Sequence, residues 1–532
     1  MKKKNNFKNK KVFILFTMVI CLLFSMSIGY SALHQILYIR GDAKIERPDY
    51  LIYIDNVEVS NATNNGYQSS NPTFSNTTAG TYSTLPNTNS SLIYKIKIIN
   101  AGKTSGILDY TIVNSDNDQI KYKIKGINNG DILAAGDAID VYVIFEYWDD
   151  VSTINNNTVS SIIEFQFIQY TDNYSIACLN NWDGSSTSEP LLVDVYGTNY
   201  YQINNANEFA WFVNTVNNGS TNINGYLSKN ICLNSKYLQI NNFNGIFDGQ
   251  NRSISGFNFT STADITDSYS RNTGLFNTNN GIIKNVNLSS TISDDLHYKP
   301  ATFTGNDTIS VSVAPLASIN TGRIANVSVS GSFTTDYSVR TTCANAKPTL
   351  NYFVGGIVGK NNGVITGSYN KSTVYTRNTV SRTACNYSKY YHMYEGGIAG
   401  QNSGYISDSY NNNTITSSTW VNNDNSRYYG RIGGLVGDFS SGNIKNSYNA
   451  GSVAHEIEET EGGVAEERLT GGAIGSSNGT VNNVYYLDSC GFAGAGTAVS
   501  SGDLSNLNIS IGNFFMRDIN SSNNGYPILG WQ

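Results

Sequence analysis

Side chains able to do chemistry are sparse in this chain, and their spacing argues against catalysis. The four histidines are His34, His297, His392 and His455, and no two are spaced as metal ligands. His455-Glu456-Ile457-Glu458-Glu459 begins like a zinc-protease helix but lacks the second histidine. Polysaccharide cleavage needs carboxylates converging on one groove. Asp408 and Asp438 fall at different places in their repeats, and Asp294 and Asp295, being adjacent, point apart on a strand. The run Glu456, Glu458, Glu459, Glu461, Glu466 and Glu467 lacks the Asp/Asn spacing of a calcium loop and reads as a solvated flap. No catalytic, cofactor-binding or metal-binding residue is therefore assigned.

Cysteine offers one structural prediction. Cys343 lies 12 residues before Gly355 and Cys385 lies 11 before Gly396, nearly the same place in consecutive repeats. Stacked coils ~4.8 Å apart bring such positions within bridging range. A Cys343–Cys385 disulfide is expected, with Cys178–Cys232 as a second pair and Cys490 single.

The elements that position these residues come from a repeat. Gly355-Gly356-Ile357-Val358-Gly359, Asn361-Asn362-Gly363, Ile365, Ser368-Tyr369-Asn370 and Val374 recur from Gly396, Gly433 and Gly471, after two divergent copies. The turn glycines Gly281, Gly322, Gly363, Gly404, Gly442 and Gly479 step by 41, 41, 41, 38 and 37 residues. A fixed period of this size marks units that must stack to bury an apolar face. Ile283, Ile324, Ile365, Ile406, Ile444 and Val481 form one apolar column; Ile292, Phe333, Val374, Ile415 and Val453 form another. β-Branched columns between tight Asn-Gly corners predict a parallel β-solenoid. A β-propeller is the alternative at this period, but four similar strands per unit are not visible. Instead, about 21 patterned residues precede a variable polar stretch that reads as an external loop. Examples are Tyr375–Tyr394, with Tyr387 and Tyr390, and Ser417–Arg431, with Trp420 and Tyr428. Val286, Val327, Ser368, Ser409, Ser447 and Val484 should point inward. Their neighbours Tyr369, Tyr410, Tyr448 and Tyr485 should then point outward as a stack open to sugar rings.

The repeat unit resembles the GLUG motif of bacterial surface proteins. That resemblance implies a right-handed parallel β-helix. It extends upstream to Asn207-Glu208-Phe209-Ala210-Trp211-Phe212 and Phe243-Asn244-Gly245-Ile246-Phe247-Asp248-Gly249, and downstream to Asn524-Gly525-Tyr526-Pro527-Ile528-Leu529-Gly530-Trp531-Gln532. The motif accompanies many roles, zinc-dependent immunoglobulin A proteases among them, so it implies fold more than function.

Upstream, residues 1–32 carry six lysines followed by the apolar run Val12–Ile28, which predicts a signal peptide cleaved after Ser31 or an N-terminal membrane anchor. Without those lysines, 28 basic residues face 40 acidic ones, a balance near −12 that argues against nucleic acid and anionic membranes. Residues 33–172 alternate apolar and polar, as in Leu92, Tyr94, Ile96 and Ile98, and predict an antiparallel β-sandwich. That module resembles the immunoglobulin-like domains of Gram-positive surface proteins. Asn61–Ser90 reads as a long loop or disordered tract. Residues 173–200 read as a linker, 201–259 as N-terminal cap and first coils, 260–490 as repeat solenoid and 491–532 as C-terminal cap. Asn205 and Glu208 form a capping box for a helix bearing Phe209, Phe212, Val213 and Val216.

The fold class expected is thus all-β: a right-handed parallel β-solenoid after an antiparallel β-sandwich. The function expected is that of an extracytoplasmic, cell-surface or secreted, non-enzymatic protein. It would act as an adhesin-like or scaffold monomer, contacting a glycan or a surface or matrix protein through its solenoid face and Tyr-rich loops. The membrane would be met only through the N-terminal segment. An extracellular carbohydrate-active β-helix enzyme is the alternative.

Overall fold

The computed structural model describes residues 50–532 except 88–89, 116–119, 128–130, 148–157, 170–181, 196, 267, 299–307, 343–348, 384–388, 423–425, 461–463 and 519–520. The described residues all belong to one compact unit, Asp49–Gln532. The expected export segment lies outside the described residues, and every described strand and helix belongs to Asp49–Gln532. Among the described residues no helix is long and apolar enough to cross a membrane.

Alternating residues build the first part as two antiparallel sheets. One orders Ile52–Thr63, Ser91–Asn100, Ala138–Tyr147 and Ile120–Lys125; the other centres on Thr158–Gln169, between Thr78–Thr84 and Gly106–Ser115. Leu92, Tyr94, Ile96, Val141, Val143, Phe145, Ile163 and Phe165 face one shared core. The polar tract Asn61–Ser90 is not a loop throughout. It contributes Tyr67–Gln68, Thr73–Phe74 and Thr78–Thr84 to the second sheet. Its hydroxyls made it read as loop, yet Thr81 and Ser83 are buried, and Ser83 donates to the Tyr94 hydroxyl at 3.4 Å.

The repeats wind into a parallel β-solenoid with three walls. A seven-stranded wall holds Val358–Asn361, Ala399–Asn402 and their equivalents; a six-stranded wall holds Thr349–Gly355, Lys389–Gly396 and their equivalents. The third and largest wall holds the strands that follow each turn glycine. Each strand pairs in parallel with its counterpart one repeat away, so like residues stack. Ile283, Ile324, Ile365, Ile406 and Ile444 are fully buried in one column.

The corners obey different rules from those the sequence suggests. Of the six turn glycines only Gly442 is at positive φ; at Gly363 a β-carbon would collide with the Gly322 carbonyl oxygen of the adjacent coil. Left-handed backbone sits four residues later, at Asn285, Asn326, Gly367, Asp408, Asn446 and Asn483, with φ between 46° and 56°. Only Gly, Asn and Asp visit that region readily. The asparagine two places before the turn glycine faces inward. Nδ2 of Asn279, Asn320 and Asn361 each donates to Oδ1 of the next, at 2.7, 2.8 and 2.7 Å. A second buried ladder joins Asn370 to Asn411 at 2.9 Å and Asn411 to Asn449 at 2.8 Å.

The stretches expected as external loops are wall. Tyr375–Tyr394 lies mostly in Tyr369–Thr383 and Lys389–Gly396, and Ser417–Arg431 mostly in Ile415–Asn422 and Ser426–Gly433. These strands pair in register with their neighbours and extend every coil into an arm. The arm interior is partly polar. Thr376, Asn378, Ser417 and Thr419 are buried, and Tyr391 donates to Asn378 Oδ1 at 2.9 Å. A polar but hydrogen-bonded interior has loop-like composition, which is why periodicity missed it.

The first end is closed as expected by helix α1 (Ala206–Asn217). Asn205 Oδ1 accepts from Glu208 N at 3.0 Å, and Glu208 accepts from Asn204 N at 2.7 Å. Described residues of the expected linker join the solenoid: Trp182 lies in its core, and Leu191–Val195 pairs with Thr198–Ile203, which continues the largest wall. The C-terminal region divides. Ala495 and Thr497–Val499 close the last coil, while Leu504–Gln532 turns back along the solenoid flank.

Candidate lateral binding face

The tyrosine column points as expected but is not open. Val286, Val327, Ser368, Ser409, Ser447 and Val484 are buried on the inner side. Tyr369, Tyr410 and Tyr448 stack outside, with centroids 4.8 and 4.9 Å apart and planes within 1° and 4° of parallel. The returning C-terminal segment then covers them. Phe515 packs on Tyr448 at 5.4 Å, and Trp531 packs on Tyr369 at 5.6 Å while donating to Gly367 O at 2.8 Å. Tyr410 bonds Gln532, Tyr448 donates to Pro527 O, and Tyr485 donates to Ser510 O at 3.3 Å. Tyr410 and Tyr448 are fully buried, and burial drives their hydroxyl pKa well up. The stack is core between solenoid, C-terminal segment and sandwich, which overturns its assignment as a sugar platform.

That junction carries its own polar contacts. Lys121 bonds Asp408 at 2.6 Å, Tyr122 donates to Asn285 at 3.1 Å, and Arg252 donates to Gln166 at 3.1 Å. Ile124 N donates to Gly530 O at 3.0 Å, so the C-terminal segment also satisfies a sandwich edge.

The other predicted positions separate. Tyr428 is fully buried inside the arms, at the end of a ring series Tyr337, Tyr352, Tyr391, Tyr428 with centroid spacings of 4.3, 5.1 and 5.8 Å. Its assignment to the binding surface is therefore corrected. Trp420 is half-buried and stands in register between Thr379 and Glu458. Tyr387, Cys343, Cys385 and Cys178 lie outside the described residues. Cys232 is disulfide-bonded, and Cys490 is a free, buried thiol.

Tyr390 belongs to a different surface. Along Lys389–Gly396 it alternates with buried residues, so Tyr390, His392 and Tyr394 face out while Tyr391, Met393 and Glu395 face in. Parallel register sets Phe353 beside Tyr394 at 5.1 Å, and Tyr429 beside His392 at 4.8 Å and Tyr390 at 6.2 Å. Burial, and then Arg431, lower the His392 pKa, so the imidazole is neutral at pH 7 and offers both a donor and an acceptor. Arg431 is held by Asp438 at 2.6 Å and Glu467 at 2.9 Å, and Asp438 also accepts from Gln401 at 2.8 Å. Lys360 sits 3.7 Å over the Phe353 ring. The face is aromatic, hydrogen-bonding and internally charge-balanced. Its signal was the alternation of Tyr390 to Glu395, hidden in a stretch read as loop.

Two buried aspartates elsewhere are engaged with cations. Asp294 bonds Arg271 and accepts from Tyr337 at 3.1 Å, and Asp248 lies 3.7 Å from Lys284. Among the described residues no three His, Cys, Asp or Glu side chains group as a metal site. The fold defines an all-β protein, a parallel solenoid with antiparallel sheets before it. No protein family, curated protein or solved structure matches this chain.

Proposed function

We propose that this chain is an extracytoplasmic, cell-surface or secreted protein that binds without catalysis, as an adhesin-like molecule or surface scaffold. The observation that carries this reading is the outward aromatic row Tyr390, His392, Tyr394 and Tyr429. Half-buried tyrosines give amphipathic contact area whose side-chain entropy has already been lost. The lysine-rich, apolar N-terminus supports export. The repeat's resemblance to the GLUG motif, and the first module's to immunoglobulin-like surface domains, support a cell-envelope setting. Pairing of Asp294, Asp408 and Asp438 with Arg271, Lys121 and Arg431 favours structural roles for these acids over hydrolysis.

The test is attachment. Cells displaying the protein are compared with cells displaying Tyr390→Ser/Tyr394→Ser/Tyr429→Ser, with folding checked by circular dichroism. Attachment to glycan- or matrix-coated surfaces should fall in the variant. Unchanged attachment counts against this face, and turnover of a polysaccharide by the purified protein overturns the non-enzymatic reading.

A further inference from the structure

The two ends of the solenoid are closed unevenly. At the C-terminal end, Tyr485–Leu487 is covered by Thr497–Val499, and Ile474 bridges Ala495. The covering segment stops short of the arms. Val453–Thr460 pairs with Ile415–Asn422 on one side and with no described strand on the other. Among the described residues, no strand pairs with its backbone donors and acceptors on that side. Open edges are ordinarily blunted by proline, bulges, brevity or charged side chains, and of these Val453–Thr460 has only charge, at Glu456, Glu458 and Glu459. Val453–Thr460 has eight residues, no proline and no register shift against its neighbour. The companion arm strand, Val464–Gly471, does carry a register shift.

The surroundings specify what fits. Along the strand His455 and Ile457 are half-buried toward the arm interior, while Glu456 and Glu458 are exposed on the outer side. Beside it an open cavity of about 280 Å³ is lined by His455, Ile457, Arg468, Thr470 and Phe492. His455 is held by Thr470 Oγ1 at 2.7 Å and by the Tyr428 hydroxyl at 3.3 Å, so the inner side is a firm floor. An added strand would lie ~4.8 Å away and turn alternate side chains inward and outward. Inward positions meet Ile457 and the cavity and want small apolar groups. Outward positions meet Glu456 and Glu458 and want cations.

A second copy of this chain does not meet those terms. The outer column through Glu458 runs back through Trp420, Thr379, Ser338 and His297 to Asp264, which is exposed on the first arm strand. Continuing the ladder with another copy would set Asp264 against Glu458, like charges directly opposed.

We infer that the free edge of Val453–Thr460 is a docking site for an extended, lysine- or arginine-bearing segment of another protein. That segment adds as a strand, with its cations beside Glu456 and Glu458. Main-chain hydrogen bonds supply affinity and the alternating side chains supply selectivity.

The probe is a fluorescent peptide of alternating lysine and valine, titrated into the whole protein by anisotropy. Three comparisons accompany it: a peptide with proline replacing each valine, a peptide with glutamate replacing each lysine, and the protein variant Glu456→Lys/Glu458→Lys. The lysine–valine peptide should bind and protect Val453–Thr460 from amide hydrogen exchange. Each comparison should weaken binding by roughly tenfold or more, the proline peptide because it loses the ladder bonds, the glutamate peptide and the charge-reversed protein because facing charges then repel. Equal binding of the proline peptide, which means polycation adsorption alone, overturns the proposal. So does undiminished binding to the charge-reversed variant, protection confined to other strands, or no binding of the lysine–valine peptide.

Discussion

Glu395 is a carboxyl fully buried in the arm interior, in the column Val354, Glu395, Ile432. The Thr376 hydroxyl donates to its Oε2, and among the described residues its Oε1 has no partner within hydrogen-bond geometry. Burial raises its pKa from 4.5 to about 8. The folded state therefore keeps a proton that the unfolded chain releases above pH 4.5. The associated stability is fully present below 4.5 and declines as pH rises, until the folded carboxyl itself ionises near 8. At ~1.4 kcal/mol per pH unit, the decline over that interval is on the order of 4–5 kcal/mol. Glu395→Gln keeps the shape and removes the titration. Urea unfolding of both proteins should give similar stabilities near pH 5. At pH 8.5 the variant should be more stable by several kcal/mol, roughly 3–5 on this linkage. A stability difference constant between these pH values would refute the assignment of Glu395 as a buried, proton-holding group.

Three other substitutions test named contacts. Trp531→Ala should uncover the tyrosine stack, lower stability by about 3–5 kcal/mol in urea melts, and increase hydrogen exchange in Ile120–Lys125. Asn361→Ala removes the ladder acceptor of Asn320 Nδ2 and the ladder donor to Asn402 Oδ1 and should cost about 1–3 kcal/mol per orphaned group, whereas the exposed neighbour Asn362→Ala should cost little. Gly363→Ala should be more damaging than Gly136→Ala, although Gly136 has φ of 86° and Gly363 does not, because only at Gly363 does a β-carbon meet the next coil's carbonyl oxygen; thermal melts order the two.

Periodicity in the chain was enough to determine the solenoid, its isoleucine column and the inward turn of Val286, Ser368 and Val484. Each is a repeating local choice that parallel stacking copies from coil to coil. The capping box at Asn205 and Glu208 was legible for the same reason, since its partners lie three residues apart. The arms were not legible, because Thr376, Asn378, Ser417 and Tyr391 satisfy one another in a buried interior while retaining the composition of a loop. Nor was the fate of the tyrosines. Their outward direction follows from strand alternation. Whether solvent reaches them depends on Phe515, Trp531 and Gln532, which lie far along the chain with no periodic relation to Tyr369, Tyr410 and Tyr448. A repeat specifies which side of a strand a residue takes; what then covers that side depends on non-repeating segments that meet it only when the chain has folded.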